Sequence, residues 1–438
     1  MIERVVEAAL RQRFLVGIFS LVLVAYGGYV TARLPVAAFP DVTSIQVQVN
    51  TEAPGLSATD VEQLITFPVE TSMMGLPRVA QVRSISKFGL SAVTVVFDDG
   101  VDTYFARQLV FERLAQARDR IPEGLGSPQM GPITTGLGQI YQYTLEGEGR
   151  SAMELRALND WVVKYQLRGV PGVADVLSFG GEVRQYQVEV DPDRLLRYRL
   201  TIEDVAQAIA ANNRNAGGQY LVGASEQLVV RGVGLIRGQR EGLADIANIV
   251  IKSVDGTPIH VSNVAQVEYG AEVRQGAVSK NGRGEVVSGI VLQLQGANTR
   301  EVVRNVLGRI DAIQGSLPKG VRVVPYYDQG ELTDKAIKTV TDALLESAVL
   351  IMILLFLFLG NVRAALVVVA SIPLSLLVAF LMMDRVRLDA NLMSLGGLSI
   401  GIGMMVDGSI VMVENIFRVL AERPEDDRLE AIERAARE

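Results

Sequence analysis

The sequence predicts a membrane α-helical protein with four transmembrane helices that also carries a large α+β region, made of two split βαβ subdomains and an inserted third. Three observations predict this. Of the 438 residues 49% are hydrophobic, yet the apolar runs cluster at 14–31 and 343–420, while the long middle mixes polar and apolar residues at a soluble-domain rhythm. Two octets, "GLPRVAQV" from Gly75 and "GVPGVADV" from Gly169, nearly match and stand in matching surroundings. A late apolar stretch, "GIGMMVDGSIVMVENIF" at 401–417, is lipid-soluble apart from two carboxylates.

The composition excludes several classes. There is no cysteine, so neither a disulfide framework nor a thiolate metal site can form. A net charge of -7, with no basic run or aromatic-basic patch, argues against nucleic acid as a partner. His260, in "TPIHVSNV", has no histidine or cysteine beside it, and Gly-rich pieces such as "GLGQ" lack the lysine and strand-helix context of a phosphate loop. No hydrolase, and no enzyme of another kind, is expected, and no cofactor.

Residues 1–34 are expected to hold an N-terminal amphipathic helix and the first span. The run "FLVGIFSLVLVAYGGYVT", Phe14 to Thr31, has about the ~20 residues that cross a bilayer and follows Arg4, Arg11 and Arg13, which places the N-terminus in the cytoplasm. A cleaved signal peptide, with Val30-Thr31-Ala32 as a loose cleavage site, is the competing reading. Further spans are expected at 336–360, 364–383 and 391–420, separated by "GNVR" and "DRVRLDAN". Four crossings put Arg363, Arg418 and Arg423 on the inner side with the N-terminal arginines, whereas Arg385 and Arg387 dissent. The middle of the chain then lies outside, which in a bacterium is the periplasm.

The first subdomain is expected over 35–135. It reads as the strand "IQVQVN", the helix "SATDVEQLITFPVETSMM", the octet, the strand "LSAVTVVFD" and the helix "TYFARQLVFERLAQARDR" ended by "IPEG", a split βαβ pattern. The second occupies 136–181 and 275–330. Its pieces are "QIYQYTLE" and "MELRALNDWVVKYQL" before the octet, then "EVVSGIVLQLQ", the helix "TREVVRNVLGRIDAIQGS" ended by "LPKG", and "VRVVPYYD". Residues 182–274 are the insertion, with strands at "RQYQVEVD", "EQLVVRGV" and "PIHVSNVAQVEYG" and a helix at "TIEDVAQAIAANN". Duplicated subdomains often enclose a cleft.

Asp407 and Glu414 are the residues most suited to chemistry. They are seven apart, about 20° short of two helical turns, and so share a face. A charged carboxylate at the bilayer centre costs at least ~2.5 kcal/mol, so its default reading is functional. Burial raises its pKa toward neutrality, as a proton relay needs; a structural ion pair is the alternative for Asp407, and a snorkelling or packing role for Glu414. Gly397, Gly401 and Gly408 would admit a close partner helix, or simply reflect how common glycine is in membrane helices. Met393, Met405 and Met412 could bind a soft ion such as Cu(I), or only pack.

Several long stretches together resemble the resistance-nodulation-cell division (RND) transporters, in particular their heavy-metal efflux branch. They are "LPVAAFPDVTSIQVQV", "ISKFGLSAVTVVFDDGVDTYFARQ", "GPITTGLGQIYQY", "FLGNVRAALVV" and "NLMSLGGLSIGIGMMVDGSIVMVEN", and the resemblance spans the chain as an N-terminal half. It implies a proton antiporter of the bacterial inner membrane, multi-pass, with a large periplasmic domain. Such a pump is usually a homotrimer and works with a periplasmic adaptor and an outer-membrane channel. The resemblance also implies that the two repeats are ferredoxin-like porter subdomains and the insertion a docking subdomain.

By the same resemblance Asp407 is the proton-relay aspartate, Glu414 belongs to its motif, and Met393, Met405 and Met412 lie on a metal path. Arg83, in "VRSISKFG", resembles a charged residue lining the periplasmic metal cleft. Zinc/cobalt/cadmium pumps commonly carry an earlier aspartate in a "DFG" triplet where this chain has "LSIG" with Ser399, so Cu(I)/Ag(I) is favoured over Zn/Co/Cd. The three-methionine cleft of copper/silver pumps, however, belongs to the other half. The chain stops at "LEAIERAARE", in what resembles the helix before the fifth span, so residues 421–438 are expected to start a truncated helix and the chain to be inactive alone. Two alternatives stand beside this expectation: an RND pump for organic molecules or lipids, and a non-transporting, membrane-anchored assembly subunit.

Overall fold

The computed structural model describes residues 9, 12–37, 39–223, 226–274, 276–282, 284–359, 362–386, 388–422, 431, 432, 434 and 435. The expected amphipathic helix at the N-terminus, Arg387, Arg423 and most of 421–438 lie outside them. The first helix, α1 (Arg13–Thr31), is apolar along its length and ends in an aromatic-basic group. There Tyr26 and Tyr29 stack at 6.5 Å and the Arg33 guanidinium lies 4.4 Å from the Tyr29 ring, as suits a water-lipid boundary.

Next comes a four-stranded antiparallel sheet of β1 (Gln46–Glu52), β2 (Val79–Lys87), β3 (Leu90–Phe97) and β4 (Gln129–Met130), in the order β2-β3-β1-β4. Its inward residues alternate, as a one-sided sheet requires: Val47 and Val49 of β1, and Val93, Val95 and Phe97 of β3. They pack on α2, which runs through Ala58–Val61, Glu62–Thr66 and Phe67–Met73, and on α3 (Thr103–Arg118). Each fully buried Val or Phe contributes about 1.5–3 kcal/mol of transfer free energy.

A second sheet contains β5 (Gln139–Gly147), β6 (Val173–Phe179), β13 (Val287–Gln293) and β14 (Val321–Asp328), in the order β14-β5-β13-β6. Matching β1 with β5, β2 with β6, β3 with β13 and β4 with β14 gives one strand order in both sheets. The helices correspond as well: α4 (Ala152–Leu158, Asn159–Val163, Lys164–Arg168) matches α2, and α9 (Thr299–Gln314) matches α3. Both α2 and α4 contain a π-helical turn, and both begin at a serine cap, Ser57 accepting from the Asp60 N–H and Ser151 from the Glu154 N–H.

Between β6 and β13 lie β7 (Arg184–Val190), α5 (Pro192–Tyr198), α6 (Ile202–Asn212), β8 (Ala216–Val222), β9 (Gln227–Gly232), α7 (Gln239–Ala247), β10 (Val250–Val254), β11 (Thr257–His260), α8 (Val261–Val264) and β12 (Ala265–Ala271). β7 and β12 pair antiparallel, from Arg184 opposite Ala271 to Val190 opposite Ala265. Leu195, Val205, Ile246, Ile259 and Val264 form a separate core beneath them. Every residue of strands β8 and β9 is exposed.

Two local expectations are corrected. The stretch read as one strand, "PIHVSNVAQVEYG", breaks into β11, the helical turn α8 and β12, because the Asn263 side chain caps the His260 N–H at 2.7 Å. The first sheet also gains β4, whose two residues are too few for a period to show.

Three more helices follow: α10 (Gln329–Leu359), α11 (Val362–Arg385) and α12 (Leu392–Glu422). Among the described residues, three helices are long and apolar enough to cross a membrane: Phe14–Thr31, Leu366–Arg385 and Leu392–Glu422. The remaining expected span, 336–360, falls in α10 and on Gly360, which lies outside the described residues. The segment after α1 is stitched to the α11-α12 loop: the Ala390 N–H donates to Pro35 O at 2.9 Å and the Ala37 N–H to Ala390 O at 3.1 Å.

Candidate functional site

Helix α12 starts from a reciprocal cap. Asn391 Oδ1 accepts from the N–H groups of Met393 and Ser394 at 3.0 and 2.9 Å, and Ser394 Oγ accepts from the Asn391 N–H at 2.9 Å. One side of α12 packs on its neighbours, with Leu398, Ile410 and Val413 against Ile351 of α10 and Val368, Ile372 and Leu376 of α11. Ser371 of α11 donates through Oγ to Ser409 Oγ at 3.4 Å, a small polar tie of the kind that joins membrane helices.

Asp407 is the central residue of this 31-residue helix, and it lies on a side that the described residues leave exposed. The same strip holds Glu414 and the apolar residues Met393, Ile400, Met404 and Val411, which are 65–71% exposed. Met393, Ile400, Asp407 and Glu414 recur every seven residues, the spacing of a seam that meets another helix. Among the described residues neither carboxylate has a hydrogen bond or ion pair. A carboxylate at the centre of an apolar helix is costly to leave facing lipid, so this strip needs a cover other than lipid.

The methionines do not converge. Met405 and Met412 are about 10 Å apart along the axis, and Met393 is about 18 Å from Met405 and a third of a turn away around the helix. Met404, which was not singled out in the sequence, shares Met393's strip; the eleven-residue spacing between them was the available signal. Ser399 spends its hydroxyl on Leu395 O at 2.9 Å. Arg83 is not brought to this group at all. It lies exposed on β2, where Nη2 donates to Gln46 Oε1 at 3.2 Å. Among the described residues no three His, Cys, Asp or Glu side chains gather to hold a metal. His260 has a local role, its Nδ1 lying 2.8 Å from Asn248 O.

A family model described as the AcrB/AcrD/AcrF family matches residues 5–438. The cobalt-zinc-cadmium resistance protein CzcA of Cupriavidus metallidurans is 46% identical over 434 residues, covering 97% of this chain and 40% of that protein. Protein HelA of Legionella pneumophila is 44% identical over 430 residues, with the same two coverages. The cation efflux system protein CusA of Escherichia coli is 40% identical over 425 residues, which are 96% of this chain and 40% of that protein. A crystal structure of a heavy metal efflux pump, crystal form II, superposes with a TM-score of 0.88 at 39% identity, covering 99% of this chain and 42% of that one. The chain therefore spans 40% of the length of these curated relatives.

Proposed function

Because the chain belongs to the AcrB/AcrD/AcrF family of transporters, we propose that it is the N-terminal half of a proton-driven pump that exports heavy-metal cations across a bacterial inner membrane. The observation that carries this reading is Asp407, central in α12 and unpaired on an uncovered seam. A partner surface, from the rest of such a pump, would supply the basic group that lets Asp407 cycle its proton, with Glu414 below it on the same face. One proton crossing 100 mV yields ~2.3 kcal/mol, enough to drive a modest conformational bias.

The apolar second part of α10 is read as the remaining span, which puts the two sheets and the insertion together in the periplasm. On this reading 35–135 and 136–181 with 275–330 are porter subdomains and 182–274 is a docking subdomain. The exposed β8-β9 hairpin, with Tyr220, Leu221, Leu228 and Val229 uncovered, supports a homotrimer in which the arm reaches a neighbour. A periplasmic adaptor, an outer-membrane channel and membrane lipid complete the proposed set of partners.

For the substrate, the reading favoured here is a divalent cation of the zinc, cobalt and cadmium class. Likeness is greater to CzcA, at 46%, than to CusA, at 40%, and the three methionines do not meet. Cu(I)/Ag(I) is the second reading, carried by the Met393, Met404, Met405 and Met412 thioethers along α12, with Arg83 as a cleft-lining candidate. Asp407→Asn in a full-length version is expected to abolish metal tolerance in a pump-deleted host while the protein still accumulates. Surviving export would refute the relay. Tolerance profiles with zinc, cadmium, cobalt, copper and silver salts separate the substrate readings, and organic-compound export without metal export would refute both. The chain by itself is expected to confer no tolerance.

A further inference from the structure

A cavity of about 110 Å³ lies where the membrane helices meet the second sheet, lined among others by Asp41, Asp389, Gln293 and Gln329. These four residues come from four separate segments: the strand-like stretch after α1, the α11-α12 loop, the end of β13 and the start of α10. The backbone ties between Pro35, Ala37 and Ala390 hold the two carboxylate-bearing segments together. Asp389 is also fixed from the α12 side, its carbonyl accepting from Ser394 Oγ at 2.9 Å. No lysine or arginine among the described residues lines the space.

The amides provide a second observation independent of the acidic pair. Gln293 and Gln329 are only 8% and 7% exposed, and the Oε1 atom of each is buried without a hydrogen-bond donor. An orphaned buried carbonyl oxygen costs ~1–3 kcal/mol, so two at one cavity call for a donor or a cation. A cation there would satisfy the two orphaned amide oxygens and offset the pairing of the two carboxylates, Asp41 being exposed and already accepting from the Thr43 N–H at 3.0 Å through Oδ1.

We propose that this cavity binds a partly hydrated divalent cation, held by the carboxylates of Asp41 and Asp389 and by the amide oxygens of Gln293 and Gln329. The inference rests on the reading that the chain handles metal cations, and it adds a place where a cation pauses at the membrane boundary. An all-oxygen donor set suits a hard or borderline dication that keeps some water, and it disfavours Cu(I) and Ag(I), which seek thioethers. At about 30 Å³ per water, the cavity has room for an ion with a few waters.

The test is equilibrium binding of Zn²⁺ to the whole purified chain in lipid nanodiscs. Asp389→Asn and Asp41→Asn are each expected to weaken one Zn²⁺ site by at least about tenfold, or about 1.4 kcal/mol. Gln329→Glu is expected to tighten it, which guards against a variant that merely fails to fold. Asp384→Asn, a carboxylate outside the cavity, should change nothing. Unchanged Zn²⁺ affinity in Asp389→Asn overturns the site, as does equal competition by Ag⁺. The binding readout does not depend on export: a pump that confers no metal tolerance, yet loses Zn²⁺ binding in Asp389→Asn, keeps the site and refutes the export reading.

Discussion

Gly27 of α1 lies against Leu377 of α11 so closely that a Cβ at Gly27 would stand 3.0 Å from Leu377 Cβ. Close approach of this kind is how small residues join membrane helices. Gly27→Val is expected to destabilise the α1-α11 contact by about 1–3 kcal/mol through overpacking. The neighbouring Gly28 has open space, so Gly28→Val should cost far less. Unfolding midpoints in mixed micelles compare the two.

Asn159 is completely buried in α4 and is bonded at both ends of its amide. Its Oδ1 accepts from the Tyr143 hydroxyl at 2.8 Å and its Nδ2 donates to Ser178 Oγ at 2.9 Å. Asn159→Leu strands that hydroxyl and should cost about 1–3 kcal/mol. Combining it with Tyr143→Phe should recover part of the loss, and a double-mutant cycle of denaturation measurements gives the coupling.

Glu146 binds Lys280 at 2.6 Å, and this hydrogen bond, aided by Thr144, holds the Glu146 carboxyl below the usual range. Because the folded value is depressed, the stabilisation is present above the unfolded carboxylate range and is lost as pH falls through the folded value. Lys280→Met is therefore expected to lower stability at neutral pH and to flatten its fall in acid. Thermal midpoints measured from pH 7 down to pH 3 test this.

Trp161 is the only tryptophan and is 80% exposed, on the π-turn of α4 beside a cavity shared with Arg184 and Tyr269. Its emission should be red-shifted and easily quenched by acrylamide in the free chain. If the proposed periplasmic adaptor docks on this side, its addition shifts the emission to the blue and protects it. No change on saturating binding would place the adaptor elsewhere.

Much of the local structure was legible because it is written in adjacent residues. The alternation in "IQVQVN" and "LSAVTVVFD" marks β1 and β3, and the octets mark where β2 and β6 begin. Helical spacing alone put Asp407 and Glu414 on one face. That this face is bare depends on which side α10 and α11 occupy, and periodicity does not carry that choice. The cavity at Asp41, Gln293, Gln329 and Asp389 was invisible for the same reason, since residues far apart in the chain make it only after folding. Two-residue β4 and four-residue α8 each span about one period, too little for a repeat to show.

Helix α10 runs without interruption from the end of β14 into the apolar region, 31 residues with no proline and with its one glycine, Gly330, in the first turn. Such a helix is about 46 Å long, so tilting one end by about 10° sweeps the other through about 8 Å. It therefore acts as a stiff lever: a small rocking among α10, α11 and α12 must arrive at the second sheet as an amplified displacement, because the rod between them contains no joint to absorb it.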